Sequence, residues 1–247
     1  MTVRLGARGV GCVLLDIEGT TTPISFVHDV LFQFARQHLD EFLQTERDSP
    51  QHADIVRRLT AEHAGDVARG EAPPARGGAD DENWVAAYSR WLMDRDRKSP
   101  GLKRLQGLIW ERGYRAGLLR GQVFDDVPPA IRRWQEGGID VAIYSSGSEL
   151  AQRRLFESTE AGDLTPFITA FFDTAFGAKI AAESYRTIAR ALERDPANIV
   201  FVSDVTTELS AARTAGLQVL LSLRPGNPVQ PSADQFESIA SFEDIGV

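Results

Sequence analysis

The stretch Val10-Gly-Cys-Val-Leu-Leu-Asp-Ile-Glu-Gly-Thr20 decides how the chain folds. Its first part, Val10–Leu15, is a short apolar run that stops at Asp16. A run of this length, bounded by polar residues or glycine, fits a strand covered on both faces of a parallel sheet. Four later runs share the pattern: Asp140–Tyr144, Ile168–Phe172, Ile199–Val202 and Gln218–Leu221. Helical patterns at Leu150–Glu157, Glu183–Leu192 and Thr207–Ala215 fall between consecutive members of this later set. Strand alternating with helix predicts right-handed crossovers and a Rossmann-like parallel α/β sheet.

The distance from the first strand to the second is far longer than one crossover needs. It runs from about Pro23 to Gly138, and its content is helical. Phe26, Val30, Leu31, Phe34 and Phe42 form one stripe at helical spacing, and further helical patterns cover His52–Val67, Asn83–Met93 and Leu102–Arg112. The last helix of the gap opens at Asp126-Val-Pro-Pro129, with Asp126 as N-cap and prolines in the first turn, and belongs with the sheet. The expected organisation is therefore an α/β core from residues 1–22 and 120–247, with a helical cap domain, 23–119, inserted after the first strand. Ala68–Asp80, rich in Gly, Pro and Ala, is expected to be a mobile loop of the insert.

Bulk properties narrow the function. The 247 residues suffice for one large domain or a core with an insertion, and the contents of 43% hydrophobic and 25% charged residues are ordinary for a globular protein. A net charge of -8 repels nucleic acid and anionic lipid, so neither is an expected partner. It also repels a phosphate ester, so a phosphate site must bring its own positive charge. The single cysteine, Cys12, excludes an intrachain disulfide and reads as a small core residue. Met1–Gly9 lacks the apolar stretch of a signal peptide, and no apolar run reaches membrane-spanning length, so the expected location is the cytoplasm.

In open α/β sheets, ligands bind beyond the carboxyl ends of the strands. The first strand ends at Asp16, the second at Ser145-Ser146-Gly147 and the fourth at Ser203-Asp204, while Lys179 follows the third. Carboxylates, hydroxyls and a lysine thus converge on one rim from four chain segments. Asp16 and Glu18 flank Ile17 before Gly19-Thr20; alone they read more readily as solvated acids of a turn than as a site. With Asp204, three carboxylates share the rim, and they repel one another unless a cation lies between them. Oxygen ligands without a His or Cys cluster point to a hard ion such as Mg²⁺. Lys179 taken alone reads as a surface lysine; near the carboxylates it would hold Asp16 and neutralise a phosphoryl oxygen. Ser145-Ser146 can cap the helix near Glu149 and offer an anion site at once. A carboxylate nucleophile at Asp16 splits phosphate transfer into two steps, and Glu18 is placed as the acid and base they need.

These residues, in this order, resemble the four motifs of the haloacid dehalogenase-like (HAD) superfamily. Its members usually carry Asp where this chain has Glu18. That difference, with the run Asp16-Ile-Glu-Gly-Thr-Thr-Thr-Pro-Ile-Ser-Phe-Val27, is similar to the enolase-phosphatase family of methionine salvage. So are Leu105-Gln-Gly-Leu-Ile-Trp110, Asp125-Asp-Val-Pro-Pro129, Tyr144-Ser-Ser-Gly-Ser148, Phe172-Asp-Thr174, Lys179 with Glu183-Ser-Tyr185, and Ser203-Asp-Val-Thr206. The resemblance implies enolisation of 2,3-diketo-5-methylthiopentyl-1-phosphate followed by loss of phosphate to give the acireductone. It also implies a monomer with one Mg²⁺ per subunit, with Asp16, Glu18 and Asp204 around the metal. The Glu18 position reaches the metal through its backbone carbonyl in this superfamily, and Ser145, Ser146 and Lys179 contact substrate. His28 stands where this family carries lysine, in the first helix of the insert rather than in a rim motif.

Other features carry less. His28, His38, His52 and His63 form no short i, i+4 pair, so a zinc site is not expected. Trp84, Trp91 and Trp110 lie on helical stripes and read as core. Arg224-Pro-Gly-Asn-Pro228 reads as a rigid exposed loop. Two rival functions are a phosphatase for another small phosphate ester, opposed by Glu18 and the Thr20–Phe26 run, and a phospho-accepting signalling module, opposed by the large insert.

Overall fold

The computed structural model describes residues 2–77, 82–97 and 99–247. The strands are β1 (Val3–Arg4), β2 (Cys12–Leu15), β3 (Asp140–Tyr144), β4 (Ala170–Phe172), β5 (Ile199–Ser203), β6 (Gln218–Ser222), β7 (Ser238–Ile239) and β8 (Ile245–Gly246). The helices are α1 (Phe32–Gln37), α2 (Leu39–Thr45), α3 (Pro50–Ala68), α4 (Glu82–Met93), α5 (Pro100–Arg115), α6 (Val127–Glu136), α7 (Glu149–Glu157), α8 (Ala182–Ala191) and α9 (Thr206–Thr214). The chain divides into two compact units, Met1–His28 with Gly117–Val247, and Asp29–Ala116.

The first unit is built on a parallel sheet in the order β4-β3-β2-β5-β6-β7. Cys12-Val-Leu-Leu15 has no exposed residue, because β2 pairs on both sides: Leu14 lies opposite Ala142 of β3 and Phe201 of β5. A wholly apolar strand is what such a position requires. Strand order reverses at β2, the place where open α/β sheets bind ligands. β5 and β6 each extend one residue past the apolar run, to Ser203 and Ser222, and both serines serve the site described below. β4 begins later than the sequence predicts, because Thr165–Phe167 winds into a 3-10 turn around Pro166. A separate small pairing joins β1 to β8.

Asp126 corrects a sequence expectation. It stands before α6 but makes no capping hydrogen bond. Its carboxylate instead accepts from Arg224 Nη1 (2.6 Å), Ser241 Oγ (2.8 Å) and the Phe242 N–H (2.5 Å). Burial works against the ionised Asp126, but these donors outweigh it and hold the carboxyl below its ordinary range.

The second unit has its own apolar core, including Leu39, Ile55, Leu59, Tyr88, Leu105 and Ile109. α3 and α5 both open on Ser-Pro, and each serine caps the helix: Ser49 Oγ accepts from the His52 N–H (3.1 Å) and Ser99 Oγ from the Leu102 N–H (2.9 Å). These caps set the true starts two residues ahead of the predicted ones. The stripe from Phe26 to Phe42 is not one helix. A π-helical turn spans Phe26–Leu31 and the helix breaks again at His38; Phe26, Leu31 and Phe42 of the stripe are buried, Val30 and Phe34 only partly, and Ala35 and Leu39 are buried beside them. Trp84 and Trp91 are buried, and Trp110 Nε1 donates to the Leu31 carbonyl (2.7 Å). Of the predicted loop, Ala68 closes α3 and 71–77 form no regular element, while 78–80 lie outside the described residues. Among the described residues no helix is long and apolar enough to cross a membrane.

Candidate active site

β2 delivers Asp16 to the rim. Its N–H still joins the sheet through the Val202 carbonyl (3.0 Å), and then the chain folds over itself. The N–H groups of Thr20, Thr21 and Thr22 all donate to the Ile17 carbonyl (3.2, 2.9 and 2.8 Å), and Thr21 Oγ1 donates to the Asp16 carbonyl (3.1 Å). The turn needs Gly19, which has φ +68°. A Cβ there would also collide with the Asp204 carboxylate. Asp16 and Asp204 are thus brought to the two sides of one tight turn.

The Asp16 side chain is held from three directions. Oδ1 accepts from the Ile17 N–H (2.7 Å) and pairs with Lys179 Nζ (2.6 Å), while Ser203 Oγ donates to Oδ2 (3.2 Å). Lys179 also pairs with Glu208 Oε2 (2.6 Å), to which Ser203 Oγ lies at 3.1 Å. Burial pulls the Lys179 ammonium down, but the charges of Asp16 and Glu208 prevail and leave it raised. Glu208 is pushed up by burial first and then by the charge of Asp16. Sequence reasoning missed Glu208. An acid in the first turn of α9 reads as a complement to the helix dipole, which hides its reach toward Lys179.

Asp204, at the end of β5, is buried, and its carboxyl is pushed up to about 7 by burial and by Asp16. Two buried carboxylates facing one turn, with oxygen donors alone, suit a hard divalent cation. Among the described residues no three His, Cys, Asp or Glu side chains form a complete ligand set. The Glu18 side chain is turned elsewhere: its Oε1 lies 3.2 Å from His28 Nε2. Half of the Glu18 side chain meets solvent, yet burial and the nearby Asp16 raise its carboxyl against the pull of His28. The expectation that His28 stands apart from the rim is therefore overturned. It lies at the start of a π-helical turn, which a 3.6-residue period does not anticipate.

Ser145 and Ser146 follow β3, the neighbour of β2. Ser145 Oγ accepts from the Gly147 N–H (3.2 Å), and Gln152 Nε2 secures the loop through the carbonyls of Gly147 (2.8 Å) and Phe172 (2.9 Å). The cap of α7 is Ser148, not the pair before it. Among the described residues neither hydroxyl bonds to the Asp16 cluster.

The segment after β6 backs the Asp16 turn, where the sequence suggests only an exposed loop. Asn227 Nδ2 (2.8 Å) and Ser222 Oγ (3.3 Å) donate to the Gly19 carbonyl, and Arg224 Nε donates to the Thr20 carbonyl (3.1 Å). Arg224 is 7% exposed, with its guanidinium 4.5 Å from the Phe124 ring and 4.6 Å from that of Phe242. Stacking and the Asp126 pair explain how this cation is accommodated inside.

Comparison with known proteins identifies the family. The model of the family "Hydrolase: haloacid dehalogenase-like hydrolase" matches residues 10–216. The chain is 48% identical to the enolase-phosphatase E1 of Synechococcus elongatus, over 94% of this chain and 96% of that one. It is 43% identical to a probable bifunctional methylthioribulose-1-phosphate dehydratase/enolase-phosphatase E1 of Vitis vinifera, over 95% of this chain and 47% of that one. The crystal structure of the UTR4 protein of Saccharomyces cerevisiae superposes with a TM-score of 0.76 at 32% identity, over 95% of this chain and 99% of that one. The chain belongs to the haloacid dehalogenase-like hydrolases and, within them, to the enolase-phosphatase E1 family.

Proposed function

We propose that the protein converts 2,3-diketo-5-methylthiopentyl-1-phosphate to 1,2-dihydroxy-3-keto-5-methylthiopentene and phosphate, in two stages at the Asp16 site. The observation that carries this reading is the pairing of Lys179 with Asp16 and Glu208 at 2.6 Å each, beside a second acid, Glu18. A fixed carboxylate flanked by a buried ammonium suits attack on phosphorus, and a separate carboxyl raised by burial suits proton transfer.

In the first stage Glu18 takes the proton from the carbon that bears the phosphate, and the electron pair moves toward the neighbouring carbonyl. In the second, an Asp16 oxygen attacks phosphorus, the bond from phosphorus to the ester oxygen breaks, and Glu18 returns its proton to that oxygen. Water then attacks the aspartyl-phosphate, Glu18 takes its proton and the bond from the Asp16 oxygen to phosphorus breaks; Glu18 passes that proton to the enolate oxygen, which leaves free phosphate, the dihydroxy product and the Asp16 carboxylate. Lys179 directs its remaining N–H at a phosphoryl oxygen, and Ser145 and Ser146 donate to the others. Asp16, Asp204 and the Glu18 main-chain carbonyl would hold Mg²⁺, which would supply positive charge for the phosphoryl oxygens and the enolate. Residues 1–22 and 120–247 are the catalytic domain, and 23–119 the helical cap. The protein acts as a cytoplasmic monomer on a small phosphate ester, without nucleic acid or membrane; a net charge of -8 supports the last point.

The test follows the enol chromophore and free phosphate separately. Asp16→Asn is expected to form the chromophore but release no phosphate, and Glu18→Gln to do neither. Phosphate release by Asp16→Asn at the wild-type rate would remove Asp16 as nucleophile. Phosphate release from simple esters alone, with none from the diketone, would favour the other-ester reading.

A further inference from the structure

Lys179 sits in a short segment between the 3-10 turn Thr174–Phe176 and the start of α8, with no sheet or helix of its own to hold it. Its three consecutive carbonyls are nevertheless each pinned by a hydroxyl. Tyr144 Oη donates to the Gly177 carbonyl (2.9 Å), Ser184 Oγ to that of Ala178 (2.8 Å) and Tyr185 Oη to that of Lys179 itself (2.7 Å). The donors come from rigid elements: Tyr144 closes β3, and Ser184 and Tyr185 lie in the first turn of α8. Both tyrosine rings are fully buried and meet edge to face at 5.5 Å. Burial raises both phenols, so each hydroxyl keeps its proton and donates. The segment lies flush on α8, since a Cβ at Gly177 would collide with Ser184 Oγ.

We infer that Tyr144, Ser184 and Tyr185 are positioning residues, which fix the Lys179 backbone so that its ammonium stays between Asp16 and Glu208. The inference rests on the role proposed for Lys179 above. A lysine side chain has many rotamers, and its N–H groups are useful in phosphoryl transfer only if its Cα does not drift. Pinning the carbonyl of the same residue controls that drift directly.

The test is a double-mutant cycle in Mg²⁺, reading kcat and KM for phosphate release from the diketo phosphate together with the melting temperature. Tyr185→Phe is expected to lower kcat about tenfold with little change in KM, as for a group that acts through the transition state. In a Lys179→Ala background the same change is expected to cost nothing further. An equal fall in both backgrounds, or unchanged kcat in Tyr185→Phe, Ser184→Ala and Tyr144→Phe alike, overturns the inference. Lys179→Ala leaves Asp16 and Glu208 uncompensated; should it not fold, the decisive measurement is calorimetric binding of inorganic phosphate to wild type and Tyr185→Phe. Weaker binding by about tenfold sustains the inference, and equal binding overturns it. This measurement needs no turnover, so it still decides the matter if the wild type leaves the diketo phosphate untouched and the proposed reaction falls.

Discussion

The Asp204 carboxyl, pushed up to about 7 by burial and then by Asp16, ties the site to stability as well as to chemistry. Its ordinary value is 3.8, so between roughly pH 4 and 7 the folded protein holds a proton that the unfolded chain has released. Stability from this group is complete below that window and declines as pH rises through it. A cation bound by the ionised form offsets the decline. Asp204→Asn is therefore expected to melt higher than wild type in EDTA near neutral pH, by about 2–4 °C for each kcal/mol relieved. It should also lose the rise in melting temperature that Mg²⁺ gives the wild type. Melting curves with EDTA and with Mg²⁺ check both; a full Mg²⁺ response in the variant would remove Asp204 from the metal site. Asp16 and Asp204 were legible in the sequence because each ends an apolar run. Glu208 and His28 were not, because each lies in a helical turn where a charged or polar side chain ordinarily faces water.

Among the elements, the connections were harder to read than the strands. Apolar runs located β2, β3, β5 and β6 almost to the residue, since burial on both faces leaves no choice of composition. The segment after β6 looked exposed because Pro225-Gly-Asn-Pro228 has turn composition, and composition does not show that Arg224 finds Asp126, far away in the chain. The Asp16 turn is wedged between this brace and Asp204. Gly19→Ala meets two obstacles there, the positive φ and a Cβ that strikes the Asp204 carboxylate. It is expected to lose more than about 100-fold in kcat while circular dichroism shows an unchanged helix content. Near-normal turnover would mean that the turn relaxes without disturbing Asp16.

At the scale of the molecule, the long interval between the first two strands announced a second helical body, and Asp29–Ala116 has its own core. That core includes fully buried Leu39, Ile55, Leu59, Tyr88 and Leu105, and truncating one such residue typically costs about 2–5 kcal/mol. The segment expressed alone is expected to be helical and to melt cooperatively; a broad, non-cooperative melt would show that it depends on the rest of the chain. The two-residue strands β1, β7 and β8 were invisible beforehand, because two residues carry no period. The order β4-β3-β2-β5-β6-β7 has one more consequence. Asp16 and Asp204 hang from the central pairing of the sheet, β2 with β5, while the short β7 closes one margin. Fraying starts where strands are short and have one neighbour. Wear on this molecule therefore proceeds from the margins inward, and Asp16 and Asp204 are among the last things it surrenders.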